Sequence, residues 1–276
     1  MDASTVFIIM RKELREARRH RWFALFTALF TVLSLGLSGL GLSGLGGLGI
    51  AGFGRTAASL VNLIVLIVPL MGLLIGAVSV AGERERGTLL TLLAQPVTIG
   101  EVLLGKFFGA AAALGAVVLL GCSVSGVLIA RAAGLSEMGA YLAVISLTLL
   151  LGCVHLGLGL LISVLTGRTN TAMSLAIVVW LGVVLLSDLG MMGTAIVLRL
   201  SAGQLLWLSL GNPAQVFKLA ATQALQGHLE GLGSSGLYAA SVLGGWLLPL
   251  LISLLCGWMA LTVGLAWAGF QRRGAL

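Results

Sequence analysis

Charge is what this sequence most lacks. Only 9% of its 276 residues are Asp, Glu, Lys or Arg, against roughly 25% in an average soluble domain. A soluble core of this size needs far more polar surface to cover it, so a soluble enzyme and an ordinary nucleic-acid binder are both excluded as classes. The 59% hydrophobic content excludes disorder on the same ground. Cysteine is scarce as well: Cys122, Cys153 and Cys256 stand far apart, each inside an apolar run, with no CxxC pair. Neither a zinc site nor a redox dithiol is indicated, and buried, inert thiols are expected. Ser/His/Asp constellations, paired catalytic carboxylates and HExxH are missing too, so no active site is legible. What remains is an all-α integral membrane protein.

Acid is scarcer than base, with 9 Asp plus Glu against 16 Lys plus Arg and a net charge of +7. In a membrane chain such an excess reports orientation, because basic residues are retained on the cytoplasmic side. Six of them (Arg11, Lys12, Arg15, Arg18, Arg19, Arg21) precede the first apolar run. That run is too long for a signal h-region and no small-residue cleavage site stands out, so no cleavable leader is expected.

A bilayer crossing needs about 20 apolar residues. Six spans are predicted, at 22–44, 57–81, 103–130, 139–165, 170–194 and 243–269. Six crossings put both termini on one side. With that side cytoplasmic, 12 of the 16 basic residues fall on cytoplasmic segments, and Arg55, Arg131, Arg199 and Lys218 fall on outer ones. Every loop obeys the positive-inside rule.

Residues 4–21 carry Phe7, Met10, Leu14 and Ala17 at helical spacing, with Arg11, Arg15, Arg18 and Arg19 on other faces. The pattern fits an interfacial amphipathic helix on the inner leaflet, or a basic anchor without fixed orientation. The glycine-rich stretch 34–54 fits either a close helix contact or a flexible outer end of the first span, and Gly105 with Gly109 is another small-xxx-small pair. Pro69 and Pro249 fall within spans and are expected to kink them. The segment 199–242 is the longest outside the spans. In it, Asn212-Pro213 predicts a helix start and Gly227 a stop, giving a helix over 213–226. Leu205, Leu206, Trp207 and Leu208 predict that the preceding stretch dips into the outer interface.

The most informative segment follows the second span at once. Glu83, Arg84, Glu85 and Arg86 are four charges at a membrane exit, normally a solvated end. Here they lead through Gly87 into a short helical run, Thr88 to Leu93, stopped by Gln95-Pro96. Thr98-Ile-Gly-Glu101 is then a capping box opening the third span. A short helix terminated at both ends has the shape needed to push against a soluble partner. Gly100 to Lys106 formally fits G-x-x-x-x-G-K, but Phe107 replaces the required Ser or Thr and no strand precedes it, so nucleotide binding by this chain is excluded.

These residues carry a resemblance. Gly82-Glu-Arg-Glu-Arg-Gly-Thr-Leu-Leu-Thr-Leu-Leu-Ala-Gln-Pro96, followed by Leu104-Gly-Lys-Phe107 and preceded by Arg11-Lys12-Glu13-Leu14, resembles the ABC-2 type transporter permeases over nearly the whole chain. Ser187-Asp188-Leu189 and Leu210-Gly-Asn-Pro-Ala-Gln-Val-Phe-Lys218 are similar to the permease of the nitrous oxide reductase maturation system. The resemblance implies a non-catalytic homodimer in the bacterial inner membrane. Two cytoplasmic ATPase subunits would carry the ATP and magnesium, and a periplasmic accessory protein would assist copper-site assembly. This chain binds no cofactor, and its partners include membrane lipid but no nucleic acid. Under that reading Glu83, Arg84, Glu85 and Arg86 form rim contacts with the ATPase, Gly87 is a coupling residue where a bulky replacement would uncouple ATP hydrolysis from transport, and Thr88, Leu89 and Leu92 fill the ATPase groove. Asn212, Pro213, Phe217 and Lys218 are the candidate contacts for the outer partner.

Two intramembrane polar residues complete the candidates. Asp188 lies deep in an apolar run, at a cost of roughly 2.5–3.5 kcal/mol at a bilayer centre. It is either a polar group at a helix end beside packing methionines or, with Met191 and Met192, a carboxylate–thioether set that could touch copper. His155 is mid-span and is read as an interhelical hydrogen-bonding group, with a proton relay or metal ligand as the alternative. The rival class, a membrane enzyme or stand-alone scaffold, lacks the polar cluster it needs.

Overall fold

The computed structural model describes residues 2–19, 21–43, 49–133, 138–190, 193, 201–225 and 244–273. Regular structure among them is entirely helical. The order is α1 (Ala3–Arg19), α2 (Arg21–Ser43), α3 (Gly49–Glu85), α4 (Thr88–Leu93), α5 (Ile99–Ala133), α6 (Met138–Leu165), α7 (Thr169–Trp180) continued by a π-helical segment (Leu181–Leu186), α8 (Ala202–Leu210), α9 (Pro213–Ala224) and α10 (Leu247–Arg273). Five helical stretches are long and apolar enough to cross a membrane: Ala57–Glu85, Ile99–Leu128, Met138–Leu165, Thr169–Gly190 and Gly244–Arg272. α2 adds a shorter apolar stretch, Ala24–Gly39. The protein is a multi-pass membrane protein.

Backbone polar groups have no water to bind in hydrocarbon, which is why each crossing segment is helical. Side chains without bulk let these helices touch. α3 lies against α6 at Gly72 and Gly76: a Cβ on Gly72 would sit 2.8 Å from the Gly152 carbonyl, and one on Gly76 would sit 2.5 Å from the Leu156 carbonyl. Gly152, Leu156, Gly159 and Ser163 share that face of α6. Ser163 Oγ accepts the Val80 and Ala81 N–H groups at 2.9 and 2.8 Å. α2 is pinned to α5 by Phe30 over Gly121 and by a Ser34–Ser125 hydroxyl pair at 2.5 Å. Trp180 Nε1 donates to the Leu66 carbonyl at 2.9 Å, fixing α7 to α3.

The core has two main parts. One joins Ile9 of α1, Leu89 of α4, Val102 and Phe107 of α5, Leu160 of α6 and Phe270 of α10, so both ends of the chain meet at one end of the bundle. The other fills the middle and opposite end and takes in Val216 and Phe217 of α9.

Several expectations are corrected. Pro249 does not kink a span: it lies in the first turn of α10, where its missing N–H has no partner to lose. Pro69 lies inside α3, within a span as expected. The expected fifth span is described as helix to Gly190 and changes to π-helical winding at Leu181. The helix expected over 213–226 spans Pro213–Ala224 and is joined by a second, Ala202–Leu210. Gly227, Met191, Met192 and residues 44–48 of the glycine-rich stretch lie outside the described residues. Gly36 and Gly39 face open space, so the close contact considered for that stretch is not made at those two positions.

Candidate functional site

The site is built at the charged end, from α1 upward. Gly105 and Gly109, one turn apart on α5, form its seat. A Cβ on Gly105 would stand 2.7 Å from Ile9 Cβ, and one on Gly109 would stand 2.6 Å from Glu13 Cβ. α1 therefore packs directly along the first turns of α5. Its buried face centres on Ile9, with Glu13 turned inward, and leaves Phe7 exposed, contrary to the apolar face expected from Phe7, Met10, Leu14 and Ala17. The reason is electrostatic. Between the two glycines stands Lys106, 1% exposed, whose Nζ meets Glu13 Oε1 at 2.7 Å, Glu83 Oε1 at 3.0 Å and the Ser79 carbonyl at 3.1 Å. Lys12 Nζ reaches the same Glu83 oxygen at 2.7 Å. Burial pulls the Lys12 pKa down, but the Glu83 hydrogen bond and charge outweigh it, so Lys12 is held above its ordinary value and stays charged.

The capping box is present: the Thr98 N–H donates to Glu101 Oε2 at 2.8 Å and the Glu101 N–H to Thr98 Oγ1 at 3.3 Å. Glu101 Oε1 also takes the Asp2 N–H at 2.6 Å, tying the start of α1 to the start of α5.

Three consecutive charges each hold a different element. Glu83 holds α1 and α5. Arg84 Nη1 donates to the Val164 and Thr166 carbonyls at 3.3 and 2.8 Å, closing the end of α6. Glu85 Oε2 accepts the Thr169 N–H at 3.0 Å, closing the start of α7, where Arg168 offers no side-chain cap. Arg86 Nε returns to the Gly82 carbonyl at 3.0 Å. The run is thus more than a solvated membrane exit, although Glu85 and Arg86 remain exposed. Glu83 is buried, and the rim contact expected of it is not offered in this conformation.

From this anchor the chain turns at Gly87, whose φ of 73° is left-handed. Thr88 Oγ1 donates back to the Glu83 carbonyl at 3.3 Å. α4 then buries Leu89, 1% exposed, in the core shared by α1, α5, α6 and α10. Leu89 is not free to fill a partner's groove. Leu90 is 60% exposed, with Thr88, Thr91, Gln95 and Pro96 also exposed and Leu92 half-buried. The six-residue helix is fixed by its base and inner face and free on its outer face.

At the opposite end, two separate candidates meet. Lys218 Nζ lies 2.6 Å from Asp188 Oδ2, and Gln215 Nε2 donates to the other carboxylate oxygen. Asn212 caps α9 through Oδ1 to the Ala214 N–H at 2.8 Å, and its Nδ2 donates to the Val183 carbonyl of the π-helical segment at 2.7 Å. Asn212, Gln215 and Lys218, on one face of α9, therefore hold 183–188. Pro213 and Phe217 are buried in the core, so they are not free surface for an outer partner. Trp207 and Trp246, 76% and 79% exposed, present the amphipathic rings typical of a membrane–water boundary.

His155 is fully buried and bonds the Leu151 carbonyl of its own helix at 2.9 Å, through Nδ1. The expected interhelical bond is not the one it makes. Among the described residues no three His, Cys, Asp or Glu side chains converge as a metal-binding group. Cys122 is buried, Cys153 half-buried and Cys256 exposed.

Sequence reasoning missed Glu13, Lys106 and Ser163. Only the glycines flanking Lys106 signalled that a helix had to approach there.

Known proteins are similar to this chain over nearly its whole length. Residues 7–275 match the family described as ABC-2 family transporter protein. The chain is 33% identical over 271 residues to the "Probable ABC transporter permease protein NosY" of Pseudomonas aeruginosa, covering 96% of this chain and 94% of that one. It is 34% identical over 282 residues to the protein of the same name from Stutzerimonas stutzeri, covering 97% and 98%. With a match over nearly its full length, the chain belongs to the ABC-2 family of transporter proteins.

Proposed function

We propose that this chain is the non-catalytic membrane subunit of an ABC transporter and receives work at α4 from a separate cytoplasmic ATPase, which alone holds ATP and magnesium. The observation that carries the reading is the anchoring of Glu83, Arg84 and Glu85 on four different helices immediately before a short helix with a free outer face. A push on Leu90, Thr91 or Thr88 is delivered to α1, α5, α6 and α7 together, because leaving any of these buried charges or helix ends unpaired is costly. Arg86, Thr88, Leu90 and Leu92 are the residues placed to meet the ATPase. Glu83, Arg84, Glu85, Gly87 and Leu89 act behind them as the lever.

Six crossings, with both termini in the cytoplasm of a bacterium bounded by an inner membrane, fit the distribution of basic residues. Two copies form the working unit. The resemblance over 187–189 and 210–218 supports a place in the nitrous oxide reductase maturation system, with a periplasmic partner meeting Asn212, Lys218 and the exposed turns around them. Copper enters as that system's eventual product site, not as a ligand of this chain.

The test is co-purification with activity. A soluble protein carrying a phosphate-loop motif should come down with the membrane-extracted chain, and its ATP turnover should respond to Leu90→Glu. Purified chain that hydrolyses ATP alone, or labelling that puts Leu90 outside the cell, sinks the reading.

A further inference from the structure

We propose that Lys106 is a positioning residue that makes α1 move with the end of α3, so that a displacement at α4 reaches the N-terminal helix as well as the spans. The inference rests on the coupling reading above and deepens it. Lys106 has three acceptors from two other helices: Glu13 of α1, and Glu83 and the Ser79 carbonyl of α3. Glu83 stands four residues before Gly87, within the same unbroken helix that leads to α4. Its Oε1 is shared between Lys106 and Lys12, and the four groups balance as two cations and two anions.

Neither steric seating nor the direct Lys12–Glu83 pair, whose lysine is 42% exposed and therefore screened, imposes this. Ile9 rests on Gly105 and Glu13 on Gly109 through van der Waals contact, which permits sliding along the small-residue surface. A buried ammonium at 1% exposure does not, because any slip of α1 leaves it without Glu13 in a site closed to water. Lys106 also sits in the second turn of α5, near the positive end of the helix dipole, where a lysine gains nothing from its own helix. Its acids are what make the position tenable.

The experiment uses the full chain with its co-purifying ATPase in nanodiscs and with Cys122, Cys153 and Cys256 replaced by alanine. Nitroxides are placed on Leu90→Cys or Ile8→Cys, each paired with Ala260→Cys on α10, and labelled chain is diluted into unlabelled chain. Distances are measured without nucleotide and after trapping with ATP and vanadate. In the parent both the Leu90 and the Ile8 distances should shift. In Lys106→Met the Leu90 shift should persist and the Ile8 shift should be lost, and Lys106→Arg should restore it. A merely structural role would reduce both shifts together and would not separate them. An Ile8 shift that survives Lys106→Met overturns the proposal. If Lys106→Met fails to insert, Glu13→Gln/Lys106→Met keeps the neutral Glu83–Lys12 pair and gives the same reading. A Leu90 distance that never responds to trapping in the parent overturns the coupling reading itself, a different result from the first.

Discussion

Lys218 and Asp188 meet at 2.6 Å, joining the face of α9 to the helix that continues α7, just past its π-helical segment. The extra residue of π winding frees the helix from its regular ladder, and the Val183 carbonyl there is taken up by Asn212 Nδ2 and by Ser187 Oγ at 2.6 Å. An intramembrane carboxylate with an ammonium beside it and a helix end behind it is a structural join. Both partners are partly exposed, so the pair is screened and contributes little. A double-mutant cycle of Asp188→Asn and Lys218→Met, read from thermal unfolding in detergent, should give a coupling of at most about 1 kcal/mol. A value of about 3 kcal/mol or more shows that water does not reach the pair.

Close approach of α3 and α6 predicts a steep size dependence at one glycine and none at another. Gly76→Leu forces backbone against backbone, since its Cβ already falls 2.5 Å from the Leu156 carbonyl. The two helices must separate, and a loss of about 3 kcal/mol or failure to purify as a single species is expected. Gly36→Ala has nothing within 4 Å and should change stability by less than about 0.5 kcal/mol. Melting temperatures of the two variants, side by side, decide it.

Arg84 and Glu85 close two helix ends that face each other across Thr166 to Thr169. Glu85→Ala frees the Thr169 N–H, a cap worth about 1 kcal/mol, so amide exchange across Thr169 to Ala172 should quicken about fivefold. Glu85→Gln keeps an oxygen acceptor in place and should exchange nearly as slowly as the parent. Equal rates in both variants mean that the charge, not the cap, holds α7.

What could be read from sequence was local. The capping box Thr98–Glu101 and the Asn212–Pro213 helix start depend on residues within three positions of one another, and both are present as expected. Apolar length marked the crossing helices within a few residues of their ends. The charged run 83–86 was legible as the centre of the site but not in its chemistry. Four charges in a row look solvated, and what makes the first of them, Glu83, internal is Lys106, inside a motif whose only familiar meaning is phosphate binding. Phe217 was legible as able to pack inward, but Pro213 was not. In sequence α9 lies between two apolar runs, and only its tertiary contacts turn it into the bundle.

Gly87 is the remaining hinge between anchor and lever, and its demands are those of the backbone alone. Its φ of 73° and ψ of −1° are left-handed, and a Cβ there would have no neighbour within 4 Å. Substitutions therefore report conformational preference without a clash. Asn, which tolerates this region, should cost little. Ala should cost about 1–2 kcal/mol, and Val more, because a β-branched residue is least able to take positive φ. If the turn fixes α4, amide exchange over Thr88 to Leu93 should quicken about 5–30-fold in Gly87→Ala, further in Gly87→Val and hardly at all in Gly87→Asn. ATP turnover by the co-purified partner should lose its response to the membrane chain in the same order. Exchange that is the same in all three variants means that Leu89 in its core pocket, not the turn, holds α4 in place, and the lever then begins two residues later than Gly87.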